Sequence, residues 1–165
     1  MPYHSGAIRF LAEKVIDMYQ RILAAVDDSA TSDRALQQAI GLAKDQHATL
    51  RIVYAVDEVA IYNSASLADP SGIEQAWIET GHRILDKARN LARAAGVDTE
   101  VKLLETENIG ERIADAIVEE ARTWPADIVV VGTHGRSGLK HLLMGSVAEG
   151  IVRICPSPIM LIRGR

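Results

Sequence analysis

Five short stretches of this chain are apolar or alternate in ways that only strands satisfy. Residues 21–26 (RILAAV) form a nearly unbroken run that ends in Asp27-Asp28-Ser29. Residues 50–56 (LRIVYAV) form a second, ending in Asp57-Glu58, and residues 127–131 (DIVVV) and 159–162 (IMLI) form two more. Unbroken runs of this length predict strands buried on both faces, as in a parallel sheet. Residues 99–104 (TEVKLL) alternate instead, which predicts a strand nearer an edge.

Between these runs the apolar period lengthens to that of a helix. Leu36, Ala39, Ile40 and Ala43 share one face, with Thr31 or Ser32 available as the cap. Ile73, Trp77, Ile84, Ala88, Leu91 and Ala95 continue a second stripe, stopped by Gly96. Ile109, Ile113, Ile117 and Ala121 make a third, and Asn108 with Glu111 has capping-box spacing. Val147, Ile151 and Ile154 make a fourth, ended by Pro156. Strands alternating with helices predict a doubly wound α/β sheet. In such sheets the ligand crevice lies beyond the carboxyl ends of the strands, where strand order reverses. The turns at Asp27 and Gly132 both lie at such ends.

Two segments stand outside the alternation. Residues 57–70 (DEVAIYNSASLADP) form a connection long enough to act as a lid. Residues 1–17 precede the first strand, and Ile8, Leu11, Ala12, Val15 and Tyr19 have helical spacing. They read either as an added helix packed on the body or a partner, or as an incidental extension before a start at Met18. Residues 18–165 then form a single domain.

Composition narrows the picture. Of 165 residues, 48% are hydrophobic and only 4% aromatic, so the core is built from Ala, Val, Ile and Leu, which suits close packing of helices on a sheet. The formal charge of -4 gives a nucleic-acid partner no electrostatic support. The single cysteine, Cys155, excludes an intramolecular disulfide and is expected to be a buried, inert thiol. Arg9, Glu13, Lys14 and Asp17 interrupt the first apolar residues, so no signal-peptide core is present and no membrane insertion is expected. A cytoplasmic location is the expectation.

The candidate chemistry lies between Gly132 and Val147. Gly132 ends a buried strand, where a Cβ is expected to obstruct anything lying across the strand tip. Gly135 allows the next turn a positive φ or a close approach to a ligand. Gly145 and Ser146 open the last helix, whose first N–H groups lack intrahelical partners and favour an anion. His134, Arg136, Lys140 and His141 add donors to the loop between. Each feature alone is ordinary turn chemistry; their combination in one strand–loop–helix unit points to a phosphate cradle. There is no G-x-x-x-x-G-K-[ST], which argues against a P-loop, and no G-x-G-x-x-G after the first strand. The five histidines have no metal-ligand spacing.

Gly132-x-x-Gly135, nine residues, then Gly145-Ser146 resembles the nucleotide signature of the universal stress protein family. Residues 18–29 (MYQRILAAVDDS) resemble that family's opening, and residues 155–163 (CPSPIMLIR) its ending. The resemblance implies a five-stranded parallel sheet of order 3-2-1-4-5, with helices on both faces, of the adenine nucleotide alpha hydrolase-like kind. It commonly implies a homodimer through the last strand. It also implies the ATP-binding subgroup of the family. Position by position, Asp27 falls at the ribose and phosphate side, Ala25 offers backbone contact, and Ala55 presents backbone groups to adenine. Val131 and Gly132 face the ribose; Gly135, Gly145, Ser146 and Val147 hold the phosphates, with Arg136 as an extra contact. Asp27 either accepts ribose hydroxyls, joins a Mg²⁺ ion bridging phosphates, or simply caps the next helix.

The expected function is a cytoplasmic, ATP-binding regulator of the stress response whose nucleotide state, ATP, ADP or AMP, modulates a dimer or an unknown protein partner. A weak ATPase or adenylyl-transfer enzyme is the alternative, although H-I-G-H and S-G-G-x-D-S are absent. A structural dimerisation module with an AMP-filled or empty cleft is a third reading.

Overall fold

The computed structural model describes residues 18–56, 70–106, 112–134 and 144–164. Strand β1 (Arg21–Ala25) leads to helix α1 (Ala30–Gln46), β2 (Thr49–Val56), α2 (Pro70–Ala94), β3 (Thr99–Glu105), α3 (Ile113–Thr123), β4 (Ile128–Gly132), α4 (Ser146–Ile154) and β5 (Ile159–Ile162). The strands form one sheet in the order β3-β2-β1-β4-β5, parallel throughout. The order reverses between β1 and β4, which places the switch point at the turns after those two strands.

Alternation along each strand divides the core into two layers. Ile22, Ala24, Ile52, Tyr54 and Val130 face α1 and α2, while Leu23, Ala25, Val53, Ala55, Val129 and Val131 face α3 and α4. Helix α1 turns Ala35, Ala39 and Ala43 to the sheet at four-residue spacing, all essentially inaccessible. Small side chains there let the helix lie close to the strands.

The strands match the apolar runs to within a residue at each end. The two sheet edges differ in character. β3 alternates exposed Glu100 and Lys102 with half-buried Thr99, Val101 and Leu103, then buries Leu104 and ends on exposed Glu105, whereas β5 carries no charge at all and leaves Leu161 exposed.

Several local expectations are corrected. The cap of α1 is Ser29, not Thr31 or Ser32: Ser29 has extended backbone and its Oγ accepts from the Ser32 N–H at 3.1 Å. Helix α3 starts at Ile113 after an extended Arg112, whose N–H donates to Asp115 Oδ2 at 3.2 Å; Ile109, also placed on this stripe, lies outside the described residues. Asn108 and Glu111 lie outside the described residues, as do residues 1–17 and the 57–69 part of the long connection. Leu91 is exposed, because the buried seam of α2 advances by fours through Ile84, Ala88 and Ala92 and leaves Leu91 on its flank. Cys155 is half-buried rather than fully buried. Gly96 ends α2 as expected, at φ +78, a left-handed turn that suits glycine.

Candidate functional site

A cleft of about 280 Å³ opens at the carboxyl ends of β1, β2 and β4. Its floor is the α3/α4 face of the sheet: Ala25, Ala55 and Val131. Two alanines at neighbouring strand ends leave a depression where larger residues would fill the space. One wall is apolar, from Ile113 and Ile117 of α3. The far end is polar, from Asp27, Ser32, Thr133, His134, Gly145 and Ser146.

Backbone groups open onto this space at two places. The first is β2. Thr49 N–H bonds to Gln20 O and Val26 N–H to Val53 O, so odd-numbered residues of β2 point their N–H and C=O toward β1. The Val26–Val53 bond is the last between these strands among the described residues. The N–H and carbonyl of Ala55, two residues on, therefore face the side where β1 has ended. The second is α4, capped by Gly145 in extended conformation (φ -74, ψ 157) with no side-chain cap bond. The first-turn N–H groups of Ser146, Val147 and Ala148 have no partners within the helix, and all three residues line the cleft.

The turn after β1 is tightly built. Asp27 Oδ1 accepts from the Ser29 N–H at 3.1 Å, and the Asp27 N–H donates to Ser32 Oγ at 3.0 Å. Asp28 takes a left-handed φ of 64, which an Asp tolerates better than most residues. Its side chain points out toward Lys87 at 3.7 Å, consistent with a solvated role. Across the switch point, Ser29 Oγ donates to the His134 carbonyl at 3.4 Å, joining the β1 turn to the strand end of β4. Thr133 extends the ladder by donating its N–H to Ile162 O at 2.8 Å, and its carbonyl accepts from Gly145 N–H at 2.7 Å. That second bond ties the strand tip directly to the start of α4.

Eight of the ten residues singled out in the sequence are thus brought to one cleft: Ala25, Asp27, Ala55, Val131, Gly132, Gly145, Ser146 and Val147. Gly135 and Arg136, with Lys140 and His141, lie outside the described residues. The reason for Gly132 is corrected. A Cβ there would lie 2.9 Å from Thr31 Cγ2 and 3.2 Å from the Thr31 carbonyl carbon, so it would strike the first turn of α1. Sequence reasoning missed Ser32, Thr133, Ile113 and Ile117. The two isoleucines have the spacing of core residues, and only their place at the beginning of a helix marks them as cleft wall. Among the described residues no group of three or more His, Cys, Asp or Glu side chains could hold a metal. None of the described helices is long and apolar enough to cross a membrane.

The model of the universal stress protein family matches residues 18–163 of this sequence. The chain belongs to the universal stress protein family. A universal stress protein of Methanocaldococcus jannaschii is 30% identical over 147 residues, covering 89% of this chain and 84% of the relative. A universal stress protein family member from Burkholderia pseudomallei superposes with a TM-score of 0.70 at 35% identity, over 88% of this chain and 96% of that one. A universal stress protein solved in complex with cAMP superposes with a TM-score of 0.63 at 27% identity, over 88% and 98% of the two chains. The five-stranded order described above is the universal stress protein fold, of the adenine nucleotide alpha hydrolase-like kind.

Proposed function

We propose that this universal stress protein binds an adenine nucleotide in the cleft between the β1 and β4 turns. One observation carries the reading: a small apolar floor beside the outward-facing backbone groups of Ala55 stands opposite the N-terminus of α4, which has no side-chain cap bond. A purine is flat, apolar on its faces and polar on its edge; a phosphate is anionic. The floor of Ala25, Ala55 and Val131 suits the first, with the Ala55 N–H and C=O available to an adenine edge. The N–H groups of Ser146 and Val147, with the helix dipole behind them, suit the second. The similar structure solved with cAMP supports the same class of ligand.

ATP is the expected ligand within that class, with ADP or AMP as alternative occupants. Asp27, Gly132, Gly135, Arg136 and Gly145 are assigned to the ribose and phosphates, as the family signature implies. Asp27 would meet Mg²⁺ together with the phosphates the ion bridges, since a carboxylate suits that ion and, among the described residues, no group of three or more His, Cys, Asp or Glu side chains could hold it alone. The role is regulatory and cytoplasmic: nucleotide occupancy alters a surface read by a second copy or another protein. The second copy would pair along β5, which carries no charged side chain and leaves Leu161 exposed.

Titration calorimetry with ATP, AMP and cAMP, each with and without Mg²⁺, tests the binding. Saturable heat with at least one of them, abolished by a bulky residue at Ala55, is the expected result. Absence of heat from all three, together with absence of nucleotide released from purified protein by mass spectrometry, would refute it. Phosphate release measured alongside distinguishes a binding protein from a slow hydrolase.

A further inference from the structure

A cluster of charges lies under the cleft wall and takes no part in the ligand contacts above. Glu120, in the last two turns of α3, is 4% exposed yet carries a carboxylate. Its Oε1 accepts from Arg51 Nη1 at 2.6 Å and its Oε2 from Lys102 Nζ at 2.5 Å. Arg51 also donates through Nε to Glu100 Oε2 at 2.9 Å, and its guanidinium lies 4.5 Å from the centroid of the Trp124 ring, just past the end of α3. Arg51 on β2 and Glu100 and Lys102 on β3 share a register on the α3 face of the sheet. The cluster therefore grips one end of α3.

The other end of α3 is the cleft wall. Ile117 stands three residues before Glu120, about 4.5 Å along the helix axis, and Ile113 a further turn away. Apolar contacts hold a helix on a sheet without fixing its rotation or slide, because they are non-directional. A forked, stacked guanidinium bonded to a buried carboxylate is directional, and such a pair contributes more to geometry than to net stability. Displacement of the wall would also reach the opposite side of the cleft. A Cβ on Gly150 of α4 would lie 2.6 Å from Ala114 Cβ, so α3 and α4 touch with no slack one turn from the cleft.

We infer that Arg51 and Glu120 are positioning residues for the nucleotide cleft: they clamp the C-terminal half of α3 to the sheet and so set how far Ile113 and Ile117 stand from the alanine floor. The inference rests on the cleft being the nucleotide site.

The test titrates cAMP and Mg²⁺–ATP into the full chain and into Glu120→Gln, Arg51→Lys and a control, Arg153→Ala, which breaks only an exposed pair on α4. All are measured well below their unfolding midpoints. Glu120→Gln is expected to raise Kd at least about fivefold, within the range that coupled neighbours show. Arg51→Lys, which keeps the charge but loses the fork and the stacking, moves the same way, and the control stays within about twofold. Hydrogen exchange is expected to quicken at residues 113–118 and not in β1 or β4. A merely structural role would lower the midpoint and leave both Kd and the exchange pattern unchanged; that outcome overturns the inference. If the unaltered chain binds neither of these nucleotides, nor AMP, and releases none on purification, the proposed function fails, and the exchange pattern alone then decides for or against the clamp. If Glu120→Gln does not fold, Arg51→Lys carries both readouts.

Discussion

Replacing Gly132 by Ala distinguishes two explanations of the glycine at the tip of β4. If its purpose is to leave room for a ligand, the added methyl should weaken binding and spare stability. The structure points the other way. The new Cβ would sit 2.9 Å from the Thr31 methyl, 3.2 Å from the Thr31 carbonyl carbon and 3.3 Å from the Ser32 nitrogen. Ordinary carbon–carbon contact begins near 3.5 Å or more, so the first turn of α1 must retreat by several tenths of an ångström. Overpacking of this kind costs about 1–3 kcal/mol, offset by about 0.4–1 kcal/mol from the reduced freedom of the unfolded chain. A net loss of about 1–2 kcal/mol in a chain of this length lowers the thermal midpoint by roughly 2–8 °C. Differential scanning calorimetry measures it directly. Adding Thr31→Ser removes the nearest clashing atom and should restore part of the loss, since only the two backbone contacts then remain. A Gly132→Ala protein with an unchanged midpoint and a lost ligand would refute the packing explanation and restore the ligand one.

Further outcomes follow from the same geometry. Ser29→Ala removes the cap of α1 and the bond to the His134 carbonyl, and should cost about 1 kcal/mol in urea unfolding while loosening the junction of the β1 and β4 turns. Ser146→Asp places a carboxylate among the α4 N–H groups; it should stabilise the helix by about 0.3–1 kcal/mol yet weaken ATP far more than uncharged adenosine in competition calorimetry. Leu161→Lys puts a charge on the β5 edge and should reduce any self-association seen by sedimentation velocity, with the unfolding midpoint little changed.

Much of the fold was legible because its signals are local. Residues 22–26 and 128–131 have no polar position to expose, so they had to be central strands, and residues 99–104 alternate because one edge of the sheet meets water. The order of the strands is not in that pattern; it came through the family resemblance. The site was legible where it is made of backbone: Asp27, Gly132 and Ser146 mark strand ends and a helix start, and the fold brings such ends together. It was not legible where the choice is made at long range. Ser29, Thr31 and Ser32 are equally able to cap, and the extended backbone of Ser29 decides among them. Ile113 and Ile117 look like core residues, because what separates wall from core is the absence of a covering residue across from them. The neighbour that makes Gly132 necessary, Thr31, is remote in sequence and local signals do not reveal it.

The unlike edges of the sheet limit what it can build. A strand edge is an open valence for another chain, and this sheet offers one on the β5 side and guards the other with Glu100, Lys102 and Glu105. A sheet sticky on both sides propagates into a fibre; one with a single receptive side is satisfied by a single mate and then stops. If a second copy pairs along β5 as proposed, that assembly is therefore self-terminating.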